Sequence, residues 1–164
     1  VFVEKPLAMT LDDAVLMNTA AERGGLKLQV GHIFLHNEIV HKVKEYIKNG
    51  ELGDVQYIYC RRLNLGQFRK DTDVVWTLAP HDISIVNFLL DSRPQQVSAR
   101  SFTFAQKPND NPEVCFAHLD FPEGRQVHLH LSLLDPQKQR EIVIIGNKKM
   151  LIYDDTDPKM VIQI

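Results

Sequence analysis

Cysteine is scarce in this chain: two residues in 164, Cys60 and Cys115, with no CxxC spacing. Both lie inside apolar stretches, so the expectation is two buried reduced thiols rather than a disulfide or a metal pair, and with it a cytoplasmic protein. Neither sign of charge is in excess. Nineteen Lys and Arg face 21 Asp and Glu, the net charge is −2 and the pI is near 6.4, which leaves no electrostatic case for nucleic acid or an anionic membrane as partner. Apolar runs are short; "ISIVNFLL" cannot span a bilayer. There is no signal-peptide pattern, no internal repeat and no low-complexity tract. No GxGxxG turn occurs, and the only adjacent glycines, Gly24 and Gly25, follow a predicted helix rather than a strand. What remains is ordinary globular material, 44% hydrophobic and 24% charged, long enough for one good core.

The organisation changes part-way along. Val1–Val3 read as the end of a strand. Thr10 is a helix N-cap with Asp12 and Asp13 in the first turn, and the helix stops at Gly24-Gly25. "LKLQVGH" is a short strand ending at Gly31, and an amphipathic helix from about Asn37 to Gly50 buries Ile39, Val40, Val43 and Ile47. Strand, helix, strand, helix is the rhythm of a parallel α/β unit. Beyond Gly53 come a long strand "DVQYIYCRRLNL", a polar loop over 66–74 and an apolar helix starting near Pro80. The strands "QQVSARSFTFA", "EVCFAHLDF", "RQVHLHLSLL" and "REIVIIG" follow, and "GNKK" turns the last into a hairpin with "MLIYDD". Val127, Leu129, Leu131 and Leu133 alternate with His128, His130 and Ser132, as one buried and one polar face require. The expected fold is α/β (α+β). Residues 1–31 form the tail of a Rossmann domain, and residues 32–164 form a mostly antiparallel open-faced sheet with helices on one face.

Two stretches can carry chemistry. In "VFVEKPLA", Pro6 fixes φ and holds Glu4 and Lys5 at the carboxyl end of the first strand, the edge where open α/β sheets bind ligands. A positioned Lys5 ammonium there can donate to a substrate oxygen, or the pair is simply solvated charge. In "DVVWTLAPHDISIV", Pro80 in a first helical turn places His81 and Asp82 at a helix N-terminus. The dipole there disfavours imidazolium, so His81 is either a neutral base or a packing or capping side chain; Asp82 suits the dipole. Trp76 is core or pocket wall. Arg62, Asn64 and Arg69 are substrate contacts or a solvated polar surface, with arginine suited to a diphosphate. His128 and His130 share a strand face without a third ligand in view. A polar sheet face or a subunit interface is expected there, and no metal.

"EKPLA", "VGHIFLHNEIVHKVKEYIKNGELGDVQYI" and "RLNLGQFRKDTDVVWTLAPHDISIV", in that order, resemble successive segments of the Gfo/Idh/MocA oxidoreductases. The likeness is strongest to the branch of UDP-N-acetylglucosamine 3-dehydrogenase-like enzymes that act on nucleotide-linked sugars, where similar "RLNLG…WDLAPHD" stretches occur. The resemblance implies an N-terminal Rossmann domain for NAD or NADP and a C-terminal domain with a large open sheet. Lys5 and His81 are then catalytic. Glu4, Lys5, Pro6 and His32 contact the cofactor, whose main binding site lies outside this chain; Arg62, Asn64, Arg69, Trp76 and Thr77 contact a nucleotide-sugar or other sugar substrate. Oligomerisation through the open sheet is implied as well.

The chain departs from the pattern in two ways. Many relatives carry Asp four residues before the histidine, where this chain has Thr77, which cannot act as a carboxylate. Relatives also continue beyond a region like "MVIQI", so the expectation is a chain short at both ends, inactive alone, with a catalytic parent. The alternative is a non-catalytic remnant used for binding or assembly.

Overall fold

The computed structural model describes residues 1–105, 107, 111–157 and 161–164. Strand β1 (Phe2–Val3) pairs in parallel with β2 (Gln29–Val30), and α1 (Leu11–Arg23) connects them. Thr10 caps α1 as expected, its Oγ1 accepting from the Asp13 N–H at 3.2 Å. A single 3-10 turn (Ile33–His36) leads to α2 (Glu38–Lys48), capped by Asn37, whose Oδ1 accepts from the Ile39 and Val40 N–H groups.

From β3 (Val55–Leu65) the chain builds a second sheet with α3 (Val74–Leu90) on one face. Its other strands are β4 (Gln96–Phe102), β5 (Val114–Asp120), β6 (Gln126–Ser132), β7 (Leu134–Gly146), β8 (Met150–Asp154) and β9 (Ile162–Gln163). The seven strands run in the order β4-β5-β6-β3-β7-β8-β9, antiparallel except for the β3–β6 pair. The expected mixed architecture holds. Ile58 and Cys60 of β3 and Val127, Leu129 and Leu131 of β6 pack with Val40 and Val43 of α2 and Ile85, Val86 and Leu89 of α3. Each such apolar side chain contributes about 1.5–3 kcal/mol of burial. Cys60 and Cys115 are buried free thiols, as expected. No helix among the described residues is long and apolar enough to cross a membrane.

The opposite face is open. It shows Tyr57, Phe116 and Met150, and it carries His118 and His128 with their Nδ1 atoms 3.1 Å apart. His128 and His130 lie on this face as the alternation predicts. Ser132 does not stay exposed: it sits between Leu63 and Val114, both buried, and its hydroxyl accepts from the Leu134 N–H at 3.0 Å. Among the described residues no group of three or more His, Cys, Asp or Glu could hold a metal ion.

Two boundaries differ from expectation. The helix expected near Pro80 begins at Val74, because Asp73 caps it (Oδ1 accepts from the Trp76 N–H at 2.9 Å). Pro80 therefore lies inside the helix, where it withholds the N–H that the Trp76 carbonyl needs. His81 and Asp82 are mid-helix residues, and the helix-terminus argument for both is wrong. Strand β7 starts at Leu134, well before "REIVIIG". Between the Leu63–Gln139 and Leu65–Leu134 pairs, two steps along β3 answer five along β7, so the segment around Pro136 bulges from the ladder.

Candidate active site

Five parts of the chain meet at one cavity of about 840 Å³. The carboxyl end of β1 supplies Lys5, the 3-10 turn supplies Phe34, the end of β3 and the following loop supply Arg62, Asn64 and Arg69, α3 supplies Thr77 and His81, and β7 supplies Lys138, Gln139 and Arg140. Gly66 in the loop lies so close that a Cβ there would meet Asn64 Nδ2 at 2.9 Å and Leu133 Cδ2 at 2.8 Å, so a side chain there would require both of those side chains to shift.

Lys5 is anchored across the longest sequence separation in the site. Its Nζ donates to the Thr77 carbonyl at 2.7 Å, one turn before His81, next to the stretch of α3 opened by Pro80. Partial burial lowers its pKa, Arg62 lowers it further, Glu4 raises it, and Arg69 lowers it. Glu4 itself is exposed, with Oε2 close enough to Gly31 that a Cβ there would lie 3.2 Å away.

His81 is neutral in this setting, for reasons unrelated to a helix end. Burial first, then the charges of Lys5, Arg62, His32 and Arg140, bring its pKa down from 6.5 to about 4. Its ring packs edge-on against Phe34 at 5.1 Å, and the Arg62 guanidinium lies over the Phe34 ring at 5.2 Å. Nδ1 of His81 is buried with no hydrogen-bond partner among the described residues.

Arg62 is committed inward. Its Nε lies 3.0 Å from both Asp82 oxygens and its Nη2 donates to Oδ1 at 2.6 Å, with both residues buried. Burial raises the Asp82 carboxyl above its ordinary pKa, while the guanidinium opposes that rise. Arg62 still borders the cavity, but its forked donors face the helix. Alternation along β3 carried this signal: Arg62 shares its face with Ile58 and Cys60, which point to the helices.

The other predicted residues divide. Asn64, Arg69 and Thr77 line the cavity, although Arg69 is held by Asp71 through two hydrogen bonds and the Thr77 hydroxyl donates to the Asp73 carbonyl at 2.7 Å. Trp76, Pro6 and His32 line a separate, mainly apolar groove of about 470 Å³ between the α1 region and α3. Trp76 is 37% exposed and so is not core. Nδ1 of His32 is buried and unpartnered among the described residues. Sequence reasoning missed Phe34, Lys138, Gln139 and Arg140. Lys138 and Gln139 were hidden because "DPQKQ" reads as a turn rather than as a bulged strand, and Arg140 was read only as the start of the strand "REIVIIG".

Residues 40–152 match the family described as the GFO/IDH/MocA C-terminal domain. Among curated proteins, 1-carboxy-3-chloro-3,4-dihydroxycyclohexa-1,5-diene dehydrogenase of Comamonas testosteroni is 33% identical over 109 residues, 60% of this chain and 28% of that protein. An inositol dehydrogenase homologue from Azotobacter vinelandii, solved with NADH and myo-inositol, aligns with a TM-score of 0.83 at 16% identity, covering 94% of this chain and 44% of that one. UDP-N-acetylglucosamine 3-dehydrogenase from Acidithiobacillus ferrooxidans aligns with a TM-score of 0.75 at 23% identity, over 93% and 48%. These structural likenesses show the fold, and this chain spans less than half of each of those proteins. The seven-stranded sheet, the helices on one face and the matched span agree: the chain belongs to the GFO/IDH/MocA C-terminal domain family.

Proposed function

We propose that this chain is the substrate-binding and catalytic part of an NAD(P)-dependent oxidoreductase that interconverts a hydroxyl and a ketone on a sugar or cyclic polyol. In the narrower form suggested by the nucleotide-sugar resemblance, that ring is linked to a nucleotide. Residues 1–31 belong to the dinucleotide-binding unit and residues 32–164 to the substrate unit. One observation carries the reading: Lys5 and His81 border the same cavity, with Lys5 Nζ hydrogen-bonded to Thr77 O, one turn from His81.

The residues present fit one end of a nicotinamide dinucleotide. Glu4, Lys5, Pro6 and His32 gather at the carboxyl ends of the parallel strands β1 and β2, and the orphaned Nδ1 of His32 is available to a ligand. When bound, that cofactor supplies the hydride acceptor. The protein's own groups handle the proton. His81 Nε2 removes the proton from the reacting hydroxyl, with Nδ1 carrying the ring proton. The Lys5 ammonium stabilises the developing negative charge on the same oxygen. Burial first, then the charges of Lys5, Arg62, His32 and Arg140, keep the imidazole neutral before it takes the proton. Thr77 offers only an acceptor to a substrate hydroxyl, because its own proton is given to Asp73 O. The open sheet face, with Tyr57, Phe116 and Met150 exposed, receives a second copy of the chain.

That committed Thr77 hydroxyl is also what favours the competing reading, a domain that binds or assembles without turnover. Hydride transfer separates the two. In the intact protein, reduction of nicotinamide cofactor is followed by absorbance against a panel of inositols, sugars and nucleotide sugars. Turnover that falls on the order of 10²–10⁴-fold in His81→Asn supports the catalytic reading. Binding of such rings with no cofactor reduction in the wild type supports the other.

A further inference from the structure

The cavity's lining says more about the substrate, taking the oxidoreductase reading as given. Hydroxyls both donate and accept, so a neutral polyol is matched by walls that do both. Here the lining holds five cations, Lys5, Arg62, Arg69, Lys138 and Arg140, and no carboxylate. Three of the five have carboxylates at their backs: Arg62 has Asp82, Arg69 has Asp71 and Arg140 has Asp155. Lys5 is tied to the Thr77 carbonyl. Lys138 differs from all four, being exposed at the cavity with no ion-pair partner among the described residues.

The backbone explains how Lys138 gets there. The register jump between Leu63–Gln139 and Leu65–Leu134 ejects the residues between Leu134 and Gln139 from the ladder, and Pro136 within that stretch has no N–H to return to it. A bulge beside a cavity re-aims side chains, and this one sets Lys138 on its wall.

We propose that the substrate carries an oxyanion, a carboxylate or a phosphate, and that Lys138 of the β7 bulge binds it, with Arg69 contributing from the same lining. Lys138 is then a specificity-determining residue: it selects anionic rings over neutral ones and takes no part in moving the proton or hydride.

Three rings that differ mainly in charge provide the test: galactose, galacturonate and galactose 1-phosphate. Calorimetric titration of the intact protein should show at least one anion binding on the order of tenfold or more tighter than galactose at low salt. High salt should narrow that gap. Lys138→Glu should remove most of it, Lys138→Arg should keep it, and galactose affinity should be unchanged in both. Whichever anion shows the larger Lys138-dependent gap identifies carboxylate or phosphate as the group held. Lys138 is exposed, so both variants are expected to fold, and circular dichroism verifies it; Lys138→Gln replaces Glu if it does not. Equal binding of all three rings, no binding of any, or a gap indifferent to Lys138→Glu overturns the proposal. Because binding alone is read, a protein that shows the gap but never reduces cofactor loses the oxidoreductase reading and keeps the anion site. One that transfers hydride without a gap does the reverse.

Discussion

Helices α1 and α3 begin alike and end differently. Each opens on a capping side chain, Thr10 for α1 and Asp73 for α3, and each carries an ample set of apolar residues. Yet α1 buries none of its side chains, with Leu11 78% and Leu16 66% exposed, whereas α3 buries Val74, Ala79, Ile85, Val86, Leu89 and Leu90 and even the carboxylate of Asp82. Local signals set where a helix forms. Only tertiary contact sets what it is worth, and a helix without a covered face adds little to stability.

The sharpest way to break that contrast is Asp82→Ala. It leaves the Arg62 guanidinium buried without its partner, and the expected cost is about 3–5 kcal/mol by urea unfolding. Exchanging both members for apolar residues of similar volume should cost much less, since no lone charge then remains. Ile58→Ala on the helix-covered face of β3 should lose about 2–5 kcal/mol through lost burial and the cavity left behind. In this chain by itself, Leu16→Ala on α1 should stay within about 0.5 kcal/mol. A loss at Leu16 comparable to that at Ile58 would erase the difference between the two helices.

A smaller, pH-dependent effect sharpens the same comparison, because His81 sits on the buried helix. Its folded pKa is depressed from 6.5 to about 4. Above pH 6.5 both folded and unfolded states hold it neutral, and stability is unaffected. As pH falls from 6.5 towards 4 the unfolded chain takes up a proton that the folded chain refuses, so stability declines, and the decline from this group is complete below about pH 4. Unfolding curves across that window should show a smaller loss in His81→Asn than in the wild type.

How much could be read beforehand follows from how local each cause is. The strict alternation of Val127 to Leu133, the cap at Thr10 and the apolar face of Ile39, Val40, Val43 and Ile47 are near-neighbour patterns, and they gave β6, α1 and α2. The start of α3 was lost because Pro80 imitates a first-turn proline while Asp73, the actual cap, reads as loop. Lys5 and His81 were legible as separate candidates from strand-end and proline chemistry and from resemblance. Their place on one cavity was not, since it rests on a contact between Lys5 and Thr77, 72 positions apart. Arg62 was assigned outward from its side-chain chemistry alone, against a strand parity that points it to the helices. Lys138 depends on a register jump that only the paired strands reveal.

A double-mutant cycle on hydride transfer tests most directly whether Lys5 and His81 act as one unit. Single-turnover rates are measured in the intact protein for the wild type, Lys5→Ala, His81→Asn and the pair, at saturating cofactor and substrate. If both side chains serve the same oxygen in one transition state, each single change slows transfer by on the order of 10²-fold or more, and the double variant is about as slow as the worse single. Two losses that multiply in full would contradict a shared role, and near-normal transfer in His81→Asn would contradict any catalytic role and leave His81 as a packing residue beside Phe34.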